Sequence, residues 1–270
     1  MNVKTSTNVI LYGFYDYPKH WYGFLRRYCM KSLSIIPLAL FLQLISLFAA
    51  PGCTKQGLKK EELGMKNLAT DSLSKTWLAL GDSYTIGESV AVQERFPAQT
   101  VALLKAHGVA VSEPQYIART GWTTADLQNA ISKAILKPKY DIVSLLIGVN
   151  DQYQGLDTTG YRTRFTQLLQ KAILLAGNEA AHVFIVSIPD YGVTPFGGGS
   201  AKISKEIDDF NAINKQVTLA YKVSYTDITP ISREAAGDQS LTAGDGLHPS
   251  GKQYKRWAEI LEQAMLAVVK

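Results

Sequence analysis

A serine at the end of a short apolar segment and a distant carboxylate–histidine pair are residue types that can form an activated nucleophile. The apolar segment Trp77–Leu80 leads into Gly81 and Ser83, a pattern that predicts a buried strand ending abruptly at the serine. Asp245 and His248 stand three residues apart near the other end of the chain. A serine hydroxyl becomes a good nucleophile when an adjacent base takes its proton. His248 is a candidate for that base, and Asp245 for the group that orients its ring.

Two further polar segments follow predicted strands. Gly121 comes after the second predicted strand and Asn150 after the third. In an open parallel sheet, the loops at the carboxyl ends of the strands meet at one edge, where ligands bind. We therefore expect the loops that carry Ser83, Gly121, Asn150 and His248 to converge.

The fold expectation comes from the alternation of apolar segments. Strands are predicted at about 76–82, 109–117, 141–147, 182–188 and 223–228. Helices are predicted from near Pro97 to Gly108, over a segment that includes Leu127, Ile131 and Ile135, and at about 160–177, 203–221 and 250–269. Alternating strands and helices predict an α/β fold: a three-layer α/β/α sandwich around a parallel sheet of about five strands. The Gly- and Pro-rich segment 189–200 is predicted to be a loop that borders the cleft or simply connects elements on the surface.

Four sequence blocks in order resemble the SGNH hydrolase family, which is also called the GDSL esterases and lipases. Ser83 lies in GDSY, Gly121 in RTGW, Asn150 in GVND, and Asp245 and His248 in DGLHPS. The resemblance covers about 75–270 and implies the flavodoxin-like SGNH fold. The GDSY block departs from the family name by having a tyrosine where the name has a leucine.

The resemblance also implies a role for each of these residues. Ser83 would be the nucleophile, His248 the general base and Asp245 its partner. The backbone N–H groups of Ser83 and Gly121 and the side-chain amide of Asn150 would stabilise the oxyanion. One such donor is typically worth about 10²–10³ in rate.

Other residues of these blocks have less specific interpretations. Tyr84, Trp122 and Tyr153 flank the blocks and either line a pocket for an acyl group or sugar or serve ordinary packing. Asp82 and Asp151 are expected to order the loops through hydrogen bonds to nearby backbone.

The N-terminal part of the chain is predicted to be an export signal. The apolar stretch 32–50 follows Lys31 and precedes Cys53, which is typical of a secretory signal peptide. The cysteine resembles that of a bacterial lipobox, so 30–53 is predicted to be a lipoprotein signal with Cys53 lipidated and the protein exported to the periplasmic or cell-surface side. An uncleaved membrane anchor and a cleaved, secreted protein are the alternatives.

The segments on either side of this signal have their own interpretations. Residues 1–29 are unlike a signal n-region, and we interpret them as a start-site error with translation beginning at Met30. Residues 54–74 are polar and predicted to be a flexible tether, and 75–270 is predicted to be the hydrolase domain.

Charge and cysteine content exclude several classes of function. Of the net charge of +5, most lies in 1–53, so 54–270 holds 23 basic and 22 acidic residues and offers no basic patch for nucleic acid. Both cysteines, Cys29 and Cys53, precede the predicted domain, which excludes a disulfide framework or a cysteine zinc site there. No metal or nucleotide motif is present, and no cofactor is expected.

These observations lead to three functional hypotheses. The first is a serine esterase that hydrolyses small carboxylic esters, as GDSL esterases and lysophospholipase-like enzymes do. The second is a carbohydrate O-acetylesterase. The third, from another class, is a non-catalytic glycan-binding lipoprotein on the same fold.

Overall fold

Five short parallel strands form one sheet in the computed structural model, which describes residues 74–270. The strands are β1 Trp77–Gly81, β2 Gln115–Ala118, β3 Ile142–Leu146, β4 Val183–Val186 and β5 Ser224–Thr226. Their order is β2-β1-β3-β4-β5. The chain therefore reverses direction across the sheet after β2, which creates a switch point between β1 and β3, where ligands of such sheets bind.

Helices cover both faces of the sheet. They are α1 Ser83–Ile86, α2 Phe96–Ala106, α3 Thr124–Lys133, α4 Val149–Tyr153, α5 Thr158–Leu175, α6 Ala201–Ala220, α7 Thr229–Arg233 and α8 Gly251–Val269. Helix α2 packs against α8, and α5 packs against both α3 and α6. Right-handed crossovers place these two groups on opposite faces. The predicted three-layer sandwich with a five-stranded parallel sheet is confirmed.

The two central strands form the core from which the site is built. Every residue of β1 and of β3 is buried, as expected for strands covered on both faces. Gly81 pairs with Ala118 on one side and with Leu146 on the other. The carboxyl ends of the first three strands are therefore level, and the loops that follow them begin at the same height.

Two predicted elements have different limits from those expected. The second strand begins at Gln115 and not near 109, with only an isolated bridge at Val111 before it. Pro114 directly precedes the strand, and it has no N–H to donate to a ladder.

The predicted helix that included Ile135 ends earlier, at Lys133. Ala134 is already extended, and the Ile135 side chain is 94% exposed. The Ile135 carbonyl instead accepts a hydrogen bond from the Gln115 side chain, and Pro138 further along disfavours a longer helix.

The predictions for the N-terminal part lie outside the described residues. They are the start-site interpretation of 1–29, the lipoprotein signal with Cys53, and all of the predicted tether except its last residue. Within 74–270, no helix combines the length and apolar character needed to cross a bilayer. The same residues contain no cluster of His, Cys, Asp or Glu that could hold a metal ion.

Candidate active site

Ser83 is the first residue of α1, immediately after β1. Asp82 caps this one-turn helix by accepting a hydrogen bond from the Tyr84 N–H at 3.0 Å. The turn is tight because a Cβ on Gly81 would collide with the Thr85 side chain and the Leu146 carbonyl. The connection from β1 to α1 therefore requires a glycine at this position. The Ser83 N–H lies in the first turn of α1, where it has no hydrogen-bond partner inside the helix.

The Asp245 carboxylate holds the His248 ring. Its Oδ2 lies 2.6 Å from His248 Nδ1, and its Oδ1 accepts the backbone N–H groups of Leu247 and His248. An ionised carboxylate only accepts hydrogen bonds, so Nδ1 carries a proton and Nε2 is left free to take one. This arrangement prepares the ring for general-base chemistry.

A fourth hydrogen bond to Asp245 comes from a residue that the sequence did not suggest. The Ser89 hydroxyl donates to Oδ2 at 2.6 Å. Partial burial acts to raise the pKa of Asp245, but the hydrogen bonds from Ser89, from the His248 ring and from two backbone N–H groups outweigh it and hold the pKa well below its usual range. Asp245 is therefore ionised throughout the neutral range. Ser89 lies outside all four sequence blocks, and no motif marks it.

Tyr84 lies against the imidazole. The two ring centroids are 5.1 Å apart, and the Tyr84 side chain is only 2% exposed. The Tyr254 hydroxyl donates to the Tyr84 carbonyl at 3.0 Å and anchors this turn to α8. These contacts favour packing over substrate contact for Tyr84. They also bring the Ser83 turn beside His248, although no hydrogen bond joins the Ser83 hydroxyl to the His248 ring in this structure. Catalytic hydrogen bonds are often long without substrate and tighten when it binds.

Gly121 follows β2 and Asn150 follows β3, in the short helix α4, so the two residues flank the Ser83 turn. Gly121 has a φ of +82°, which glycine adopts without strain, and the space where its Cβ would lie is open. The Asn150 amide donates one hydrogen bond to the Trp122 carbonyl at 3.0 Å, which ties α4 to the Gly121 loop. The second amide hydrogen remains for a ligand. The sheet register thus places all three predicted oxyanion donors on adjacent loops.

Asp151 anchors the start of α3 behind this site. Its carboxylate accepts hydrogen bonds from the Thr124 N–H and hydroxyl and from Arg164. The side chain is fully buried. Asp151 therefore fixes the loop that contains Gly121, as expected for a residue that orders loops.

Asp82 directly precedes Ser83, is fully buried and has an unusual environment. Its Oδ2 has no hydrogen-bond partner among the described residues. Burial raises the pKa of Asp82 to about 8, the nearby charge of Asp151 adds to the rise, and the Tyr84 N–H opposes it. Asp82 is therefore largely protonated at neutral pH, which the sequence did not predict.

Three aromatic rings lie beside the site. The rings of Tyr153, Tyr191 and Phe196, which we call the aromatic trio, have centroids 6.2 Å from one another. Tyr153 is 60% exposed and Phe196 is 52% exposed. Tyr153 is the last residue of α4, the short helix that contains Asn150, and the Phe196 N–H donates to the Gly246 carbonyl in the loop of Asp245. The segment 189–200 thus borders the site.

Trp122, by contrast, is half-buried and packs on the core.

A small pocket opens next to His248 and is lined by Tyr84, Tyr191 and Gln253, among other residues. Ser83, Gly121 and Asn150 do not line it. A reacting carbonyl would have to contact those three residues, so it would not sit in this pocket.

Comparisons with solved structures give the same fold. A structure named TesA has a TM-score of 0.58 at 18% identity, over 72% of this chain and 99% of its own. A lipase/acylhydrolase from Enterococcus faecalis has a TM-score of 0.58 at 19% identity, over 73% and 97%. Axe2, an acetylxylan esterase from Geobacillus stearothermophilus, has a TM-score of 0.55 at 20% identity, over 73% and 95%. At these identities the similarity concerns the fold.

Sequence comparison identifies the family. No curated protein matches the chain. The family model described as GDSL-like lipase/acylhydrolase matches residues 79–256, a range that spans most of the chain and includes Ser83, Gly121, Asn150, Asp245 and His248. The chain therefore belongs to the GDSL-like lipase/acylhydrolase family, and the resemblance drawn from its four sequence blocks is confirmed.

Proposed function

We propose that the protein is a serine esterase that hydrolyses small carboxylic esters through an acyl-serine intermediate. The observation that carries this proposal is the 2.6 Å contact between Asp245 and His248 Nδ1 beside the Ser83 turn. An ionised carboxylate on Nδ1 leaves Nε2 free to act as the base. Membership of a family of lipases and acylhydrolases supports the same reaction class.

The proposed reaction has two halves. As Ser83 Oγ bonds to the ester carbonyl carbon, His248 Nε2 takes its proton, and Asp245 stabilises the imidazolium. The oxyanion that forms receives hydrogen bonds from the N–H groups of Ser83 and Gly121 and from the Asn150 amide. Breakage of the ester C–O bond then releases the alcohol, which takes the proton from His248. A water molecule repeats these steps on the acyl-serine, releases the acid and restores the Ser83 hydroxyl.

A fluorophosphonate probe and p-nitrophenyl esters test this proposal. The probe should label Ser83 in the purified protein, and p-nitrophenyl acetate should be hydrolysed. Ser83→Ala should abolish both, whereas Ser132→Ala, which changes an exposed serine of α3, should keep both. The proposal is wrong if the wild-type protein is neither labelled nor active on acetyl and longer-chain esters. That outcome would favour the non-catalytic glycan-binding alternative.

A carbohydrate O-acetyl ester is the second candidate substrate, and the aromatic trio favours it. Exposed aromatic faces bind the apolar face of a sugar ring, and Tyr153 and Phe196 present such faces beside the site. A structure with the same fold is described as an acetylxylan esterase. Phe196→Ala should then lower kcat/KM for acetylated xylan while p-nitrophenyl acetate hydrolysis stays near the wild-type rate. Equal losses on both substrates would remove the support for a sugar.

We also propose that the protein is exported and anchored through a lipid on Cys53. The apolar stretch 32–50 followed by this cysteine supports the proposal. In cells given a labelled fatty acid, Cys53→Ser should lose the label and leave the membrane fraction. Cys29→Ser is the matched control and should change neither, because Cys29 precedes the apolar stretch 32–50 and lies outside the predicted signal 30–53. A membrane-bound but unlabelled wild-type protein would favour the uncleaved anchor, and an unlabelled protein in the medium would favour secretion.

A further inference from the structure

The two residues after Gly87 connect the nucleophile turn to both neighbouring loops. Glu88 accepts a hydrogen bond from the Thr120 hydroxyl at 2.5 Å, directly before Gly121. Ser89 donates to Asp245 Oδ2 at 2.6 Å. The Glu88 N–H itself donates to the Ser83 carbonyl at 3.0 Å. One short segment therefore contacts the loops that carry the proposed nucleophile, an oxyanion donor and the triad carboxylate.

The backbone at Ser89 is unusual for a serine. Its φ is +65°, in the left-handed region where residues other than glycine are uncommon. A residue with a side chain is strained in this region relative to glycine. In this conformation the Ser89 hydroxyl points at Asp245, and the side chain of the preceding residue, Glu88, contacts Thr120. Glycine would fit this backbone better, but it would not provide the hydroxyl.

The hydrogen bonds of Asp245 show what Ser89 adds. The other three come from within its own loop, from the Leu247 N–H, the His248 N–H and the His248 ring. The Ser89 bond comes from a different element, and it falls on the same oxygen that faces His248 Nδ1. The Asp245 side chain is 29% exposed, so water can compete for this oxygen. A fixed donor keeps the carboxylate from rotating away from the ring.

We propose that Ser89 is a positioning residue that holds the triad carboxylate, and through it the His248 ring, in the orientation that activates Ser83. This inference rests on the proposed serine-esterase function. A hydrogen bond to a charged group is stronger than one between neutral groups, and water replaces part of it at an exposed site. We therefore expect loss of the Ser89 hydroxyl to lower kcat about tenfold. KM should change little, because Ser89 acts through Asp245 and not on the substrate.

Ser89→Gly is the main test because it removes the hydroxyl and also relieves the left-handed strain. Ser89→Ala removes the same hydroxyl but keeps the strain. If the two variants lose the same amount of kcat, the loss comes from the missing hydroxyl and not from the change in backbone strain. Asn178→Gly is the matched control. Asn178 also has a left-handed φ, of +66°, but lies at the end of α5, away from the site. It should retain the wild-type kcat.

A double-mutant cycle with Asp245→Ala distinguishes positioning from a general structural effect. Once Asp245 is gone, Ser89→Gly should cause no further loss in kcat or in the rate of fluorophosphonate labelling. The inference is overturned if Ser89→Gly keeps the wild-type kcat, or if it causes the same tenfold loss without Asp245. Those results leave the esterase proposal intact, because that proposal fails only if the wild-type protein is inactive and unlabelled or if Ser83→Ala retains activity.

Discussion

Replacing Asp82 with asparagine should change how the stability of the protein depends on pH. Asp82 is fully buried, one of its oxygens has no partner among the described residues, and its pKa is raised to about 8. In an unfolded chain an aspartate has a pKa of about 3.9. The native state therefore keeps a proton that the unfolded state loses between about pH 4 and pH 8.

The size of the effect follows from this proton difference. A carboxyl group with a raised native pKa contributes its full stability below about pH 4 and loses it as the pH rises toward 8. A difference of one proton corresponds to about 1.4 kcal/mol per pH unit. Between pH 5 and pH 7 the wild-type protein should lose roughly 2–3 kcal/mol through Asp82 alone. An asparagine side chain cannot ionise, so Asp82→Asn should gain that amount relative to wild type over the same range.

Urea denaturation of both proteins at pH 5, 6 and 7 measures this difference. Asp157→Asn is a suitable control, because Asp157 caps α5 through the same kind of bond to a backbone N–H but is exposed. It reports the cost of exchanging a capping aspartate for asparagine. If the free energies of unfolding of wild type and Asp82→Asn stay parallel from pH 5 to pH 7, Asp82 is already ionised and the reasoning from burial is wrong.

Three other substitutions test the framework of the site. Gly148→Ala should destabilise the fold by about 2–4 kcal/mol in urea unfolding, because its φ is +127° and the added Cβ would lie 2.7–2.8 Å from the side chains of Tyr161 and Ile188. Gly244→Ala is the control, because the space around Gly244 is open. If the two variants have the same free energy of unfolding, the steric argument is wrong. Asn150→Ala should lower kcat about 10²–10³-fold with a nearly constant KM, and an unchanged kcat would remove Asn150 from the oxyanion site. Thr124→Val deletes a hydroxyl that donates to the buried Asp151 and should lower the free energy of unfolding by about 1–3 kcal/mol. A change near zero would show that the hydrogen bonds from Arg164 and the Thr124 N–H are enough to hold the Asp151 carboxylate.

The sequence predicted the parts of the site that follow from sheet geometry. Apolar segments such as 141–147 identify buried strands, and a parallel sheet brings the ends of such strands to one edge. That rule was enough to predict that the loops of Ser83, Gly121 and Asn150 would be neighbours. The level register of Gly81 with Ala118 and Leu146 shows why they are.

Contacts between loops were not predictable in this way. The Ser89–Asp245 hydrogen bond spans 156 residues and depends on a left-handed backbone at a serine, a conformation that residue type alone does not indicate. The short helices α1, α4 and α7 were also not predicted, since four or five residues carry too little of a 3.6-residue period to recognise. The end of α3 before Ile135 depends on how the chain reaches β3, which is a tertiary constraint.

The two aspartates nearest the proposed nucleophile and base show how one site can give opposite properties to the same side chain. Burial without a second partner keeps Asp82 protonated at neutral pH, whereas four hydrogen bonds keep Asp245 ionised. The negative charge of this pair therefore lies on the carboxylate that contacts His248. In the proposed reaction, a second negative charge next to Ser83 would oppose the oxyanion that attack by Ser83 creates. A protonated Asp82 adds no such charge, and its raised pKa costs stability as the pH rises.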